Sequence, residues 1–270
     1  MVPGTIRPPA VAGAFYPAEP SRLRAEVEGF LASPPVSGPW PKALIVPHAG
    51  YVYSGAVAAS AYRLLRSGGR RIRRVVLLGP CHRVALAGLA VPSTTSFATP
   101  LGAVCVDHEA LAAVADLPQV VVSDAAHRAE HSLEVQLPFL QAVLGDFSLA
   151  PFAVGSASPQ AVAEVLQRLW GGPETLIVVS SDLSHYHPYR EAREIDGASC
   201  RRILAGGTDL GPQEACGAHA LNGLLLAAGC HGLGISLLDC RNSGDTAGDR
   251  DRVVGYAAFA LQADHEALPA

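Results

Sequence analysis

The chain has 270 residues, of which 49% are apolar, and its formal net charge is -4 at pH 7. A chain of this size and composition can fill one sizeable α/β core, which excludes global disorder. The weakly acidic balance gives no electrostatic reason to expect a nucleic acid or an anionic membrane surface as the main partner.

Predicted strands and helices alternate along the chain. An irregular proline-rich segment up to residue 20 precedes a helix at 21–32, and a Pro/Gly loop at 33–41 leads to the first strand, KALIV. The remaining elements are a helix at 54–65, strands at 74–79 and 89–92, a helix from 107, a strand at 119–122, a helix at 132–144, a strand at 149–154, a helix from 159, a strand at 175–180, helices from 189 and 212, and strands at 234–239 and 253–261. This alternation predicts one α/β domain over residues 1–270, with irregular ends at 1–20 and 263–270 and a mostly parallel or mixed sheet flanked by helices.

No targeting segment or cysteine motif is recognised in the sequence. The first residues, MVPGTIRPPAVAG, lack the charged start and apolar run of a secretory signal, and the longest apolar patch, residues 221–230, is about half of a bilayer span. We therefore expect a cytoplasmic protein without membrane contact. The six cysteines form no CxxC pair, which argues against a zinc ribbon or a disulfide framework.

Polar side chains follow the carboxyl ends of four predicted strands, where open α/β sheets bind their ligands. In chain order they are His48, His82, Asp182, His185, Arg241 and Asp245. One such histidine alone is more often a satisfied polar residue, but several buried polar groups at one rim need partners. Two imidazoles and a carboxylate indicate a divalent metal with open positions, either Fe(II) or a Zn(II) ion around an activated water.

A second polar cluster lies in AHRAEHSLEVQLPFL, residues 126–140. Glu130 and His131 precede a predicted helix whose N-cap is Ser132, and Pro138 predicts a bend in that helix. An apolar stripe typical of core packing is formed by Leu133, Leu137 and Leu140. Solvated loop residues would explain the polar pair equally well, whereas the functional interpretation makes His131 a supporting or substrate-binding imidazole.

The stretch ALIVPHAGYVYSG presents a histidine directly after a buried strand. Pro47 ends the strand ladder, His48 reaches the rim, and Gly50 allows a close backbone approach. Tyr51 and Tyr53 are candidates to line a pocket, although simple packing accounts for them equally well.

Seven motifs spread over residues 7–261 carry a family resemblance. They are RPPAVAGAFYP, PHAGYVYSG, GPCH, TPLG, EHSLEVQLPFLQ, SSDLSHY and SGDTAGDRDRVVGYAAFAL, in this order. Together they resemble the Memo-like family, whose bacterial and archaeal members are called AmmeMemoRadiSam system protein B. That family is similar in fold to the B subunit of class III extradiol dioxygenases, non-haem Fe(II) enzymes that open catechols. The resemblance implies a helix-flanked sheet with a vestibule at the strand ends.

The resemblance also implies roles for individual side chains. His48 and His82 match the two metal-ligand histidines of the family, and His185 falls where the dioxygenases keep an acid–base histidine, with Asp182 in the same motif. We predict catalytic roles for His131, Asp182 and His185. Substrate binding is predicted for Tyr51, Tyr53, Glu130 and Arg241.

The third metal ligand is a point of departure from the family. Animal relatives supply a cysteine in the segment corresponding to SGDTAGD, where alignment places Thr246 in this chain. Asp245 is the ligand predicted here, because a carboxylate completes a facial triad and threonine is a poor ligand. Cys81 replaces a small polar residue of the relatives and is either a bystander or an additional soft ligand.

Three function classes follow from these expectations. The first is a non-haem Fe(II) dioxygenase-like oxidoreductase in redox or small-molecule modification chemistry, with Cu or Zn as alternative metals. The second is a non-catalytic metal-binding partner or scaffold, since the family name implies radical SAM and AMMECR-type protein partners. The third is a zinc-dependent hydrolase.

Overall fold

The computed structural model describes residues 5–32, 40–66 and 71–263. Within these ranges the strands are β1 (Ile6–Arg7), β2 (Ala43–Val46), β3 (Arg74–Pro80), β4 (Leu89–Val91), β5 (Ser96–Thr99), β6 (Gly102–Val106), β7 (Val120–Val122), β8 (Ser148–Val154), β9 (Thr175–Ser180), β10 (His185–His187), β11 (Leu233–Asn242) and β12 (Val253–Ala263). The helices are α1 (Pro20–Leu31), α2 (Tyr51–Tyr62), α3 (His108–Ala112), α4 (Asp124–Arg128), α5 (Leu137–Leu144), α6 (Pro159–Arg168), α7 (Tyr189–Leu204) and α8 (Ala218–Cys230). Most of the predicted 33–41 loop and of the 263–270 tail lies outside the described residues, as do residues 1–4 of the irregular start.

One mixed sheet carries the fold. Its strand order is β1-β5-β6-β8-β3-β9-β2-β12-β10, with β11 paired to β12 and β4 paired to both β7 and β8. The central strands β6, β8, β3, β9 and β2 are mutually parallel, whereas β12 is antiparallel to β2 and to β11. Helices α1, α2 and α5 pack together as one group, and α6 packs on α8 as another. The predicted α/β architecture with a helix-flanked mixed sheet is confirmed.

Strands β2, β3, β8 and β9 are largely apolar because helices cover both of their faces. All residues of β2 and β9 are buried, and β3 is buried from its second residue onward. No helix in the described part of the chain has the length and apolarity needed to cross a membrane.

The sheet order determines where the polar side chains of the sequence motifs emerge. Strand β9 lies between β3 and β2 and is parallel to both, so the carboxyl ends of these three strands meet at one edge. Val46, the last residue of β2, pairs with Ser180, the last residue of β9. The segments that begin with Pro47, Cys81 and Ser181 therefore leave the sheet side by side.

The helix predicted at residues 132–144 differs from the observed structure. Ser132 is not an N-cap: its buried hydroxyl donates to the Pro80 carbonyl at 2.8 Å. A single 3-10 turn, Glu134–Gln136, comes next, and α5 begins only at Leu137. Pro138 consequently lies in the first turn of α5, where its missing N–H has no helical partner to lose, and it does not interrupt the helix.

Candidate metal centre

Three histidines meet at this edge of the sheet. His48 follows β2, His82 follows β3, and His131 lies between α4 and the 3-10 turn at Glu134–Gln136. One ring nitrogen from each lies within 4.8 Å of the others. The ring centroids are 5.4 Å apart for His48 and His82, 5.4 Å for His48 and His131, and 4.9 Å for His82 and His131. A cluster this tight is compatible with one shared cation.

The His48 ring is held in one tautomer by its neighbours. Ser180 Oγ donates its single proton to the Ser132 carbonyl at 2.7 Å and accepts an N–H from Gln136 at 2.8 Å. The 2.9 Å contact between Ser180 Oγ and His48 Nδ1 is therefore a hydrogen bond donated by the ring. Nδ1 carries the proton, so Nε2 keeps the lone pair with which an imidazole binds a metal.

The other two rings are oriented by one buried carboxylate. Glu130 Oε1 lies 3.0 Å from Nδ1 of His82 and 3.2 Å from Nδ1 of His131. Because an ionised carboxylate only accepts hydrogen bonds, His82 Nδ1 is the donor in its contact with Glu130. The His131 Nδ1 atom lies close to the same oxygen but lacks the geometry of a hydrogen bond. Neither Nε2 atom of His82 and His131 has a hydrogen-bond partner among the described residues.

Glu130 was predicted to bind substrate, and its position does not support that role. The residue is 1% exposed. Its carboxylate also accepts the backbone N–H groups of His82 at 2.6 Å, His131 at 2.9 Å and Ser132 at 3.0 Å. Burial alone would raise the pKa of Glu130, but these hydrogen bonds with the two histidine side chains and the backbone hold it well below its usual range. The carboxylate therefore stays charged and positions the histidines.

The start of the chain supports this loop through a buried arginine. Arg7, in β1, is 3% exposed and donates to the Glu134 carboxylate at 2.7 Å, to the His127 carbonyl at 2.7 Å and to the Glu130 carbonyl at 2.5 Å. The Tyr16 hydroxyl donates to the same Glu134 carboxylate at 2.5 Å. A segment predicted only as irregular thus fixes the backbone that carries Glu130 and His131.

The electrostatics of the cluster favour neutral imidazole at His48. Burial lowers the pKa of His48 to about 4; the nearby Asp182 carboxylate opposes this shift, whereas His131 and His82 add to it. The Asp182 carboxylate also accepts the His48 backbone N–H at 2.7 Å. At neutral pH the ring is therefore uncharged, which is the form that binds metals.

A cysteine that the sequence reasoning missed reaches this cluster. Cys216, just before α8, has its sulfur 3.3 Å from His48 Nε2 and accepts the Asp182 backbone N–H at 3.3 Å. Burial, followed by the Asp182 charge, raises the pKa of the Cys216 thiol. No local pattern marks this loop residue as a ligand. A cysteine does lie beside His48, but it does not come from the SGDTAGD segment.

Asp245, predicted as the third ligand, is not brought to the histidines. It is an exposed residue, and its two oxygens accept the Tyr189 hydroxyl at 2.6 Å and the Asn242 backbone N–H at 3.0 Å. Asn242 in turn accepts the Gly244 N–H, so Asn242 and Asp245 cap the Ser243–Asp245 turn reciprocally. The structure therefore places Asp245 in a turn that it helps to cap, away from the three histidines. Cys81 also stays outside, with its thiol directed at the Val84 carbonyl at 3.3 Å.

A cavity of about 410 Å³ adjoins His131. Asp182 and His185, predicted to be catalytic, and Tyr53, predicted to bind substrate, line it. His185 Nδ1 donates to the Leu183 carbonyl at 2.8 Å, which leaves the lone pair on Nε2 as a proton acceptor. The cavity therefore has the side chains of Asp182 and His185 in its wall together with His131.

The rim of the cavity includes a strained aromatic residue. Tyr186 has φ +63°, a left-handed conformation that bulky residues rarely adopt, and it is 62% exposed. The Arg252 guanidinium stacks over its ring at 4.9 Å. Such backbone strain is concentrated at functional sites.

Two other predicted substrate-binding residues do not line this cavity. Tyr51 is 1% exposed and donates its hydroxyl to the Val135 carbonyl at 2.8 Å, so it packs in the core. Arg241 is exposed and forms an ion pair with Asp239 at 2.7 Å on the same strand. Packing and local pairing, respectively, account for both side chains.

Comparisons with known proteins identify the family of this chain. The family described as "Memo-like protein" matches residues 7–260. A "MEMO1 family protein" of Ignicoccus hospitalis is 36% identical over 94% of this chain and 97% of its own, and one of Aquifex aeolicus is 35% identical over 93% and 97%. Among solved structures, uncharacterized protein JW3007 from Escherichia coli K12 is 15% identical with a TM-score of 0.47 and covers 79% of this chain and 98% of its own. On the family match and these relatives, the chain belongs to the Memo-like protein family.

Proposed function

We propose that this protein binds a divalent transition metal ion through Nε2 of His48, His82 and His131, and that Fe(II) is its working metal. One observation carries the proposal. Each of the three rings has Nδ1 within 3.2 Å of a protein oxygen, which leaves Nε2 as the nitrogen for a ligand role, and the Cys216 sulfur lies 3.3 Å from Nε2 of His48. Histidines that bind metals typically show this arrangement, because the partner at the other nitrogen fixes the tautomer and the ring orientation.

The donor set fits such an ion in its charge and its softness. The Glu130 carboxylate behind two imidazoles increases their basicity and compensates part of the positive charge. The Cys216 thiol lies beside His48. It would lose its proton on binding the metal and would then supply a soft thiolate donor. Imidazole ligands suit Fe, Cu and Zn alike, so Cu and Zn are the alternatives.

The cavity supports chemistry on a small molecule. Its volume of about 410 Å³ lies within the range of small-molecule pockets. A bound Fe(II) ion would supply a Lewis acid and a redox centre at the cavity wall. His185 Nε2 would accept a proton from the bound molecule, and Asp182 holds the His48 backbone in place. These features favour an oxidoreductase acting on a small organic substrate.

The test begins with metal content. The protein is purified without oxygen or chelators, and elemental analysis compares wild type with His48→Ala, His82→Ala and His131→Ala. His108→Ala, at an exposed position on α3, is the matched control. We expect close to one equivalent of metal in wild type and control and a large loss in the three site variants.

The identity of the metal and the turnover then decide between the function classes. Iron together with substrate-dependent oxygen uptake supports the oxidoreductase. Zinc together with hydrolytic turnover would indicate a zinc-dependent hydrolase instead. Tight metal binding without turnover would indicate a metal-binding partner protein. Failure of wild type to take up any metal on reconstitution would refute the proposal.

A further inference from the structure

Two cysteines from different elements are in contact away from the histidines. Cys200, in α7, is 4% exposed, whereas Cys240, in β11, is exposed to solvent. Their sulfur atoms are 3.8 Å apart. No other pair of cysteines has its sulfur atoms in contact within residues 5–32, 40–66 and 71–263. The pair thus combines an accessible thiol with a buried one.

The packing of α7 on β11 brings the two thiols together. Helix α7 contacts both β11 and its partner β12. Strand β11 has a bulge between Leu237 and Asp239, directly before Cys240, and bulges redirect the side chains that follow them. A disulfide needs a sulfur–sulfur distance of about 2.0 Å. The two sulfur atoms are already in van der Waals contact. Rotation of the cysteine side chains together with a small shift of α7 can reduce their separation to the length of a disulfide bond.

The two thiols differ in reactivity as well as in exposure. The Cys200 S–H donates to the Cys240 sulfur, which lowers the pKa of Cys240 and raises that of Cys200. Thiolates are the attacking species in disulfide exchange. Cys240 is therefore both the accessible and the more easily ionised member of the pair.

We propose that Cys200 and Cys240 form a reversible thiol–disulfide site that is oxidised by a small-molecule disulfide of the glutathione type. The Cys240 thiolate attacks one sulfur of the oxidant and releases the first thiolate, which gives a mixed disulfide at Cys240. Cys200 then loses its proton and attacks the Cys240 sulfur, which expels the second thiol. Two electrons pass from the protein thiols to the oxidant, which leaves as two thiols.

The bond would join two elements that carry the cavity. Asp196, one turn before Cys200 on α7, accepts the Ser184 backbone N–H at 3.0 Å, next to His185. Asn242, two residues after Cys240, caps the turn that begins with Ser243, and Ser243 lines the cavity. The Cys200–Cys240 pair therefore lies between α7, which holds the segment of His185, and β11, which leads into the turn at Ser243.

Oxidised glutathione is the probe for the test. Native full-length protein is incubated with it, free thiols are alkylated, and peptides are mapped by mass spectrometry without reduction. We expect an intramolecular Cys200–Cys240 link, loss of two alkylatable thiols, and full reversal by dithiothreitol. In Cys200→Ser, a glutathione adduct should accumulate at Cys240, because the second thiol is missing.

Two controls keep the outcome interpretable. Cys240→Ser changes an exposed position and should abolish both the link and the adduct, whereas Cys105→Ser, also at an exposed cysteine, should leave the link intact. A wild-type protein that retains glutathione on Cys240 without forming the link would overturn the proposal. Pairing of either cysteine with a different thiol, or no reaction at Cys240, would overturn it as well.

Discussion

Replacing Glu130 by glutamine tests whether this carboxylate positions the metal ligands. The change keeps the size of the side chain and removes its charge and one acceptor oxygen. Oε1 accepts two backbone N–H groups and faces two imidazoles, so the new NH₂ group would take the place of Oε2. It would then point at the His82 backbone N–H, which Oε2 accepts at 2.6 Å in the wild type. Two donors would face each other in a buried site.

The size of the effect follows from two independent estimates. A buried N–H without an acceptor costs about 1–3 kcal/mol. Removing a group that orients metal-binding histidines typically weakens metal affinity 10–100-fold, which corresponds to about 1.4–2.8 kcal/mol. The first cost lowers the stability of the folded protein with or without metal, whereas the second applies to metal binding, so we expect metal affinity to fall roughly 10–100-fold in Glu130→Gln.

Anaerobic competition titration against a chromophoric chelator measures this affinity directly. Glu109→Gln, on the exposed side of α3, is the control for the loss of a carboxylate. Thermal melting of the metal-free proteins verifies that each variant is folded. If folded Glu130→Gln binds metal within about twofold of wild type, the reasoning that this carboxylate orients the histidines is wrong.

Three further substitutions test the buried supports of the fold. Arg7→Met leaves the buried Glu134 carboxylate without its ion-pair partner and should lower the free energy of unfolding in urea by about 3–5 kcal/mol. The control Arg24→Met, at an exposed position, should change it by less than about 0.5 kcal/mol. Equal effects would contradict the stabilising role of the Arg7–Glu134 pair. Burial lowers the pKa of His127 from 6.5 to about 4, so the unfolded chain binds a proton that the folded protein does not, and stability falls as the pH drops through this window. In His127→Gln the difference in unfolding free energy between pH 7 and pH 5 should therefore be smaller by about 2 kcal/mol. An unchanged pH profile would exclude His127 as the cause of the pH dependence. Gly223→Ala should lower Tm, because a Cβ at this position of α8 would lie 2.3 Å from a valine Cβ of α6. Gly229→Ala, where an added Cβ would have no atom within 4 Å, should maintain or raise Tm. A lower Tm for Gly229→Ala than for Gly223→Ala would contradict the packing of α6 on α8.

The sequence predicts the buried central strands well but misses the hairpin of β5 and β6. The apolar runs at residues 74–79 and 175–180 become β3 and β9 almost without change, because strands covered on both faces need apolar residues throughout. The hairpin of β5 and β6 was missed. Three of the five residues of β6 are exposed, and its strand character comes from pairing with β5 and β8. Tertiary pairing of this kind leaves little trace in a local pattern.

The candidate site was predictable where it depends on topology. His48 and His82 follow from the rule that ligands gather at the carboxyl ends of parallel strands. Cys216 was not predictable, because no spacing or periodicity in its loop points to His48. The role of Asp245 did have a local signal: Asn242 precedes it by three residues, the spacing of a capping box.

The buried arginine near the start of the chain has a consequence for the order in which the protein is completed during synthesis. Arg7 and Glu134 are separated by 127 positions along the chain. At 5–20 residues per second, a ribosome needs roughly 6–25 seconds to cover that distance. Until then Arg7 stays hydrated, and the backbone that carries Glu130 has not yet formed its long-range contact. The arrangement of the three histidines therefore forms late, because it depends on contacts between residues that are far apart in the sequence. An amino-terminal fragment that ends before Glu134 should not form the metal site.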